Sequence, residues 1–148
     1  MVQCTDLESL RLTRPREFES RLLRIIMDQI EFLNKVRKIL SKETSYDPDS
    51  WTEDNPFYGH CAVIALLAQD YFGGEILKAS LENTFFSTMN SHYWNLILSE
   101  EKDFTEEQFK GNKPKLIGEI RERKIVLKNK NTLQRYLLLR DRFLKLEL

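Results

Sequence analysis

Cysteine and histidine are both scarce in this chain. Its 148 residues include only Cys4 and Cys61, and only two histidines, His60 and His92. Two cysteines are too few for the disulfide framework of a small secreted domain, so the composition favours a reducing, cytoplasmic setting. No Cys-x-x-Cys or His-x-x-x-His spacing occurs. The sequence therefore predicts no metal site, and it implies no cofactor.

Long hydrophobic runs and an excess of either charge are also missing. The 23 Lys and Arg residues balance the 23 Asp and Glu residues, so net charge gives no indication of nucleic-acid or membrane binding. No apolar run approaches the roughly 20 residues of a membrane span, and no secretory signal pattern opens the chain. With 41% hydrophobic residues, the length predicts a soluble, cytoplasmic globular domain with one core.

The first 24 residues differ from the rest of the chain. Five arginines and Pro15 crowd this segment, and its apolar residues keep no sustained period. This pattern predicts a disordered or weakly helical arm over residues 1–24, followed by one domain over residues 25–148. An alternative is that translation naturally starts at Met27, so that the preceding residues are not native. An amphipathic helix, with Ile26, Ile30 and Val36 on its apolar face, is expected to begin around Arg21.

The most informative stretch is residues 55–75. An Asn-Pro turn and a glycine lead into Cys61, eleven largely apolar residues follow, and Gly73 and Gly74 end the run. Ala and Leu at helical spacing predict a buried helix, with Gly73 as its left-handed C-terminal cap. Cys61 then lies in the first helical turn, where free backbone N–H groups and the helix dipole favour a thiolate. An inert core cysteine would give nearly the same local pattern.

Strand signals follow this helix. Residues 75–81 and 91–98 have the apolar, aromatic and β-branched content of strands. A reversal at 100–102 is expected to lead into a paired strand over 102–104, Thr105 to open a short helix, and Thr132 to cap a final helix. Residues 116–127 give no decisive pattern. The predicted fold class is α+β, with a cysteine-bearing helix packed on a small antiparallel sheet (a papain-like core) and flanking N- and C-terminal helices.

Cys61, His92 and Asp103 could form a catalytic set. A thiol nucleophile needs a base to take its proton, and the base needs a third group to hold its tautomer. A cysteine at a helix start, followed by a histidine and an aspartate on neighbouring strands, is the order of papain-like and transglutaminase-like folds. The leading hypothesis is a hydrolase or acyltransferase acting on amide, isopeptide or thioester bonds of a small molecule or peptide. Cys61 would be the nucleophile, His92 the base and then the acid, and Asp103 the orienting residue.

Two further residues complete the candidate oxyanion or substrate-binding site. Asn55 could donate its side-chain amide to an oxyanion beside the backbone N–H of Cys61, although an Asn before Pro is also a common turn residue. Trp94 belongs to an aromatic cluster that would form either core or a pocket wall.

Each member of the catalytic set also has a structural interpretation. Cys61 could be a small core residue, His92 could bond a neighbouring backbone carbonyl, and Asp103 could cap the helix near Thr105. The alternative function is therefore a non-catalytic binding or regulatory domain on the same scaffold.

A third possibility is a structural oligomer. The C-terminal helix carries more leucines than one buried stripe needs, so a homodimer through this helix is plausible. The leucines concerned are Leu138, Leu139, Leu144, Leu146 and Leu148.

Several sequence blocks occur in order between residues 45 and 143. They are GHCAV at 59–63, QDYFGGEIL at 69–77, SHYWN at 91–95, DFT at 103–105 with QF at 108–109, and T at 132 with RY at 135–136 and LL at 138–139. Their order and spacing resemble the YunG-like family of small, largely uncharacterised bacterial proteins. The resemblance implies that Cys61, His92 and Asp103 belong to recurring motifs, and it favours Met27 as the start. In that family Gln typically stands where this chain has His60, and no reaction is implied.

Overall fold

The computed structural model describes residues 15–146. The helices are α1 (Pro15–Arg37), α2 (Cys61–Phe72), α3 (Arg123–Leu127) and α4 (Lys130–Leu146). The strands are β1 (Glu75–Ser80), β2 (Ser91–Ile97), β3 (Glu100–Lys102) and β4 (Glu119–Arg121). Short 3-10 helices occupy Lys42–Thr44, Ser87–Met89 and Glu106–Phe109. The fold is α+β, as the sequence predicts.

The four strands form one antiparallel sheet in the order β3-β2-β1-β4. The β2–β3 turn lies at Leu98 and Ser99, whose φ angles are 51° and 64°. The reversal predicted at 100–102 is therefore wrong, because those residues are β3 itself. Two successive positive φ values are typical of a tight hairpin turn, which usually contains Asn or Gly. Leu-Ser carries no such signal, so the sequence does not reveal this turn.

Helix α2 is the centre of the core. Its first eight residues are all buried, as expected of a helix that is apolar on every side. It packs against β2 on one side and against α4 on another. The buried side chain of Asn95 in β2 donates a hydrogen bond to the carbonyl of Ala65 at 2.9 Å, which fixes α2 on the sheet. The predicted helix from Cys61 to the double glycine is confirmed.

The first helix extends further toward the N-terminus than its sequence pattern indicates. It begins at Pro15, so the boundary expected at residue 24 falls inside a continuous helix, and residues 1–14 lie outside the described residues. Phe32 and Val36 are buried in the core, whereas Ile26 and Ile30 are half exposed. The expected apolar face thus reaches the core only in the second half of α1.

Helix α4 begins two residues before the predicted cap. The side-chain oxygen of Asn129 accepts a hydrogen bond from the backbone N–H of Thr132 at 3.0 Å, so the cap is Asn129 and Thr132 lies in the first turn. Leu139 is fully buried. The other leucines named above that lie in α4, Leu138, Leu144 and Leu146, are 36–50% exposed, and Leu148 lies outside the described residues. A homodimer through α4 stays a prediction.

The undecided stretch 116–127 contains β4 and α3, and α3 is anchored by a polar cluster. Arg123 donates to the carbonyl of Leu66 at 3.1 Å and pairs with Asp70 at 2.8 Å. Tyr136 of α4 donates to the same carboxylate. This cluster connects α2, α3 and α4 on the side of the core away from the cysteine. Among residues 15–146, no helix is long and apolar enough to cross a lipid bilayer.

Candidate functional site

Cys61 is the first residue of α2 and is 9% exposed. Its sulfur lies 3.9 Å from the backbone carbonyl oxygen of Ser91, at the start of β2. The preceding residue, His60, makes no side-chain cap to this helix. The N–H groups of the first turn have no acceptor within the helix, so they point toward whatever lies at the N-terminal end.

The side chain of His60 has a structural role. It is fully buried, its Nδ1 donates to the carbonyl of Tyr58 at 2.9 Å, and its Nε2 lies 2.7 Å from the hydroxyl of Thr44. Burial lowers the pKa of His60 to about 4, so the imidazole is neutral at physiological pH. Both ring nitrogens are used to hold the loop that precedes α2.

His92 and Asp103 lie together, as the sequence predicts. His92 Nε2 is 2.6 Å from Asp103 Oδ2, and the two side chains are 0% and 4% exposed. Strands β2 and β3 run antiparallel with Lys102 opposite Asn95, so the chain that leaves β3 at Asp103 runs toward the beginning of β2, where His92 lies. A short contact between two sequestered groups of this kind fixes the orientation of the imidazole ring.

Two aromatic rings enclose the imidazole of His92. Trp94 stacks on it with ring centroids 5.5 Å apart, and Phe109 meets it edge-on at 4.8 Å. Burial alone would lower the pKa of His92, but hydrogen bonding and charge from Asp103 and Cys61 raise that pKa to about 9. The Nδ1 atom is buried and has no partner that meets hydrogen-bond geometry. Nδ1 is therefore the ring nitrogen that remains available for a hydrogen bond with Cys61.

The carboxylate of Asp103 is fully occupied. Its Oδ2 also pairs with the ammonium of Lys113 at 2.7 Å, and its Oδ1 accepts from the backbone N–H and the hydroxyl of Thr105 at 3.0 and 3.1 Å. Burial would raise the pKa of Asp103, but His92 and Lys113 outweigh that effect and lower it. Thr105 thus bonds Asp103 rather than capping the Glu106–Phe109 helix, which has no side-chain cap.

A cavity of about 160 Å³ opens beside Cys61. Its wall is formed by the loop before α2, the start of β2 and the first turns of α4, and it includes Tyr46, Asp47 and Arg135. His92 and Asp103 do not line the cavity. A ligand in this space would therefore contact the cysteine, whereas the His–Asp pair is not part of the cavity wall.

The two remaining predicted residues lie outside this cavity. The side-chain amide of Asn55 donates to the backbone carbonyl of Gln108 at 3.1 Å, so it joins two loops. Trp94 is 4% exposed, and its indole N–H donates to Glu101 at 2.9 Å. Trp94 covers the His92 ring rather than the cysteine.

The described residues contain no group of three or more His, Cys, Asp or Glu side chains arranged to hold a metal ion. Arg135 and Lys113 are the charged residues of this region that the sequence reasoning missed. Arg135 lies in the buried stripe of α4, in step with Thr132, Tyr136, Leu139 and Phe143. An arginine at an apolar position of a helical stripe was the signal that could have identified it. Lys113 lies in an irregular loop and gave no such signal.

The two histidines are expected to give opposite dependences of stability on pH. Folding lowers the pKa of His60 to about 4, so the unfolded chain binds more protons between about pH 4 and 6.5, and the free energy of unfolding rises with pH there. Folding raises the pKa of His92 to about 9, so the stability that it contributes is complete below pH 6.5 and is lost as pH rises to about 9. For each histidine, the free energy of unfolding is expected to change by at most about 3 kcal/mol across its pH range.

Urea unfolding between about pH 4 and 9 in a Cys61→Ser background measures both effects, because the titration of the thiol then cannot offset that of the His92 imidazole. In that background His92→Gln is expected to remove the fall above about pH 6.5, and His60→Gln to remove the rise below it. A fall above pH 6.5 that persists in His92→Gln would show that another group causes it.

Comparisons with known proteins identify the family of this chain. The family model described as YunG protein matches residues 28–147. One relative is the "Uncharacterized protein YunG" of Bacillus subtilis (strain 168), 37% identical over 78 residues, which are 52% of this chain and 63% of that protein. The match thus spans less than two thirds of that relative, and no solved structure is significantly similar to the chain. The family model covers most of the chain, Cys61, His92 and Asp103 included, and the chain therefore belongs to the YunG family.

Proposed function

We propose that this protein is a cysteine-dependent hydrolase or acyltransferase that acts on amide or thioester bonds through Cys61, His92 and Asp103. The observation that carries the proposal is the sequestered His92–Asp103 contact of 2.6 Å, with the second imidazole nitrogen left for a cysteine at a helix N-terminus. A core cysteine requires neither an oriented imidazole nor a carboxylate behind it. A papain-like arrangement does require both.

The proposed reaction begins with a proton shared between Cys61 and His92. The Cys61 sulfur attacks the carbonyl carbon of the substrate, and the resulting oxyanion is stabilised by backbone N–H groups of the first turn of α2. His92 then gives its proton to the leaving nitrogen or sulfur as the carbonyl–heteroatom bond breaks, which leaves an acyl group on Cys61. Water, or an acceptor nucleophile, loses its proton to His92, attacks the acyl carbon and releases the thiol.

Asp103 and its neighbours would act as positioning groups in this reaction. The hydrogen bond to Asp103 holds Nε2 as a donor, so that Nδ1 faces the sulfur. Lys113 and Thr105 occupy the remaining acceptor positions of the carboxylate, which keeps it ionised and fixed. Trp94 and Phe109 pack against the imidazole ring and help to fix its plane. Each contact strengthens the electrostatic interaction between Asp103 and His92 in a site of low dielectric constant.

The reactivity of Cys61 tests this proposal. In a Cys4→Ser background Cys61 is the only thiol, so alkylation by iodoacetamide can be followed by intact mass. Cys61 is expected to react at about pH 6 at least 10-fold faster than N-acetylcysteine, because only a thiolate is nucleophilic and an ordinary thiol ionises near pH 8.5. The small cavity beside the sulfur admits a reagent of this size.

A contrary outcome is equally informative. If Cys61 reacts only when the protein is unfolded by urea, the sulfur is an inert core group and the catalytic proposal is overturned. The non-catalytic binding domain then becomes the better account of the same cavity. Preserved alkylation in urea shows in either case that the reagent and the thiol are competent.

A further inference from the structure

Arg135 is a buried cation with only neutral partners. Its residue is 6% exposed. Its Nη1 donates to the backbone carbonyls of Thr44 and Gly59 at 3.1 and 3.4 Å, and its Nε donates to the side-chain oxygen of Asn131 at 2.8 Å. Among residues 15–146, Arg135 has no carboxylate within ion-pair distance. A buried charge without an opposite charge is costly and calls for an explanation.

The guanidinium also keeps hydrogen-bonding capacity. The Nη2 atom has one contact, a long one of 3.5 Å to the hydroxyl of Thr132. Together the four contacts engage at most four of the five N–H groups that an arginine carries. Arg135 lines the cavity beside Cys61, and burial lowers the pKa of its guanidinium, an effect that the neighbouring Cys61 and Tyr46 partly offset. The cavity is therefore the space from which a ligand could reach this guanidinium.

We propose that Arg135 is the anion-binding part of this cavity, and that the preferred substrate carries a carboxylate close to the carbonyl that Cys61 attacks. This inference rests on the proposed function and specifies the class of substrate for the same site. A carboxylate entering the cavity would form a charge-assisted hydrogen bond with the guanidinium. Because the site is largely shielded from water, that interaction would be stronger than at an exposed arginine.

A purely structural role for Arg135 is the competing explanation. The residue ties α4 to the Lys42–Thr44 turn and to the Gly59 carbonyl, so removing it is expected to cost stability. Arg135 could also stabilise a Cys61 thiolate directly. Neither role predicts that the cavity prefers an anionic ligand to a neutral ligand of the same size.

Replacing Asp47 is expected to have the opposite effect on anion binding to replacing Arg135. It lines the same cavity, where its carboxylate lies 3.4 Å from the hydroxyl of Tyr58 and accepts from the backbone N–H of Ser50 at 3.3 Å. Its negative charge opposes the entry of an anion. Asp47→Asn keeps the shape of the side chain and is expected to favour anionic reagents further.

Iodoacetate and iodoacetamide form a matched pair of probes, because they alkylate the same atom and differ mainly in one negative charge. In the Cys4→Ser background, the iodoacetate-to-iodoacetamide rate ratio for Cys61 is expected to exceed that for N-acetylcysteine by about 10-fold, which corresponds to one extra ionic hydrogen bond. Arg135→Gln should return the ratio to that of N-acetylcysteine. Arg135→Lys should keep part of it, and Asp47→Asn should raise it.

The iodoacetate-to-iodoacetamide rate ratio distinguishes an anion site from a purely structural role of Arg135. If Arg135→Gln slows both reagents equally, Arg135 acts on the protein or on the thiolate, and the anion site is overturned. If Arg135→Gln does not fold, the wild-type ratio, Arg135→Lys and Asp47→Asn still decide, and a wild-type ratio equal to that of N-acetylcysteine overturns the inference. High salt should lower the elevated ratio by screening.

Binding without chemistry keeps this inference independent of the proposed reaction. N-acetylglycine and its neutral counterpart N-acetylglycinamide can be added to the Cys61→Ala variant at equal ionic strength. N-acetylglycine alone is expected to raise the unfolding temperature, and Arg135→Lys to weaken the shift. If N-acetylglycine raises the unfolding temperature of this variant but Cys61 of the folded protein is not alkylated, the catalytic proposal is overturned and the anion site is kept. No difference between the two compounds would overturn the anion site.

Discussion

Replacing His92 with Gln is expected to lower the rate at which iodoacetamide alkylates Cys61 at about pH 6 by 10²-fold or more. An ordinary thiol is only about 0.3% ionised at that pH, so a cysteine paired with an imidazolium gains up to a few hundred-fold in thiolate. The pair depends on the raised pKa of His92, about 9, which keeps the ring protonated well above neutrality. Glutamine fills similar space and removes the charge.

His60→Gln is the matched control, because it makes the same change in the residue next to Cys61. His60 is equally buried but is neutral, with its pKa lowered to about 4 by burial. Its replacement is expected to leave the rate at pH 6 nearly unchanged in the folded protein. Asp103→Asn should reduce the rate by an intermediate amount, since the imidazole keeps a hydrogen-bond partner and loses the carboxylate charge.

The pH dependence distinguishes an electrostatic effect from a structural one. At about pH 10 an ordinary thiol is ionised without help, so His92→Gln and the wild-type protein should react at similar rates. An equal loss of rate at pH 6 and pH 10 would indicate a blocked or misplaced sulfur. No loss at pH 6 would show that Cys61 and His92 do not form a pair.

The Gly74→Ala substitution is expected to destabilise the protein by more than about 4 kcal/mol or to prevent folding. Gly74 has a φ of +74°, and a Cβ atom built there would lie 2.0 Å from the backbone carbonyl oxygen of Leu96. The obstacle is backbone in the neighbouring strand β2, so a side-chain rotation cannot relieve it. Opening the β1–β2 pairing would also disturb the strand that carries His92.

Gly111→Ala is the control that separates backbone strain at a positive φ from the steric clash with Leu96. Gly111 has a φ of +82° with no atom within 4 Å of the added Cβ, so its replacement meets backbone strain alone, at about 1 kcal/mol. Urea unfolding of both variants measures the difference between them. Similar losses would mean that β2 moves aside and that the contact with Leu96 does not restrict this position.

The sequence predicted the parts of this fold that depend on local pattern. The apolar run after Cys61 was long, bounded by Gly59 and by two glycines, and could only be stable as a buried helix. The strand content of residues 75–81 and 91–98 was equally clear. The β2–β3 turn was missed because Leu98 and Ser99 adopt positive φ values that the hairpin register imposes and their side chains do not favour. The predicted cap was displaced by three residues from Asn129, because Thr132 carries a comparable capping signal.

The sequence supplied candidate residues for the site but not their surroundings. With two cysteines and two histidines in the chain, the sequence by itself determined which thiol and which imidazole were available, and the order of Cys61, His92 and Asp103. It could not show that His60 would be neutral and held by Thr44, nor that Asn55 would bond a distant carbonyl. Those outcomes depend on which loops meet, and loop packing has no local signature.

Only the tertiary structure decided the electrostatics. The short contact between His92 and Asp103 exists because antiparallel pairing directs the chain that leaves β3 toward the start of β2. The uncompensated charge of Arg135 exists because α4 packs its buried stripe against the loop that leads into Cys61. Burial removes water and makes each such contact strong, and burial is a property of the assembled chain rather than of any segment of it.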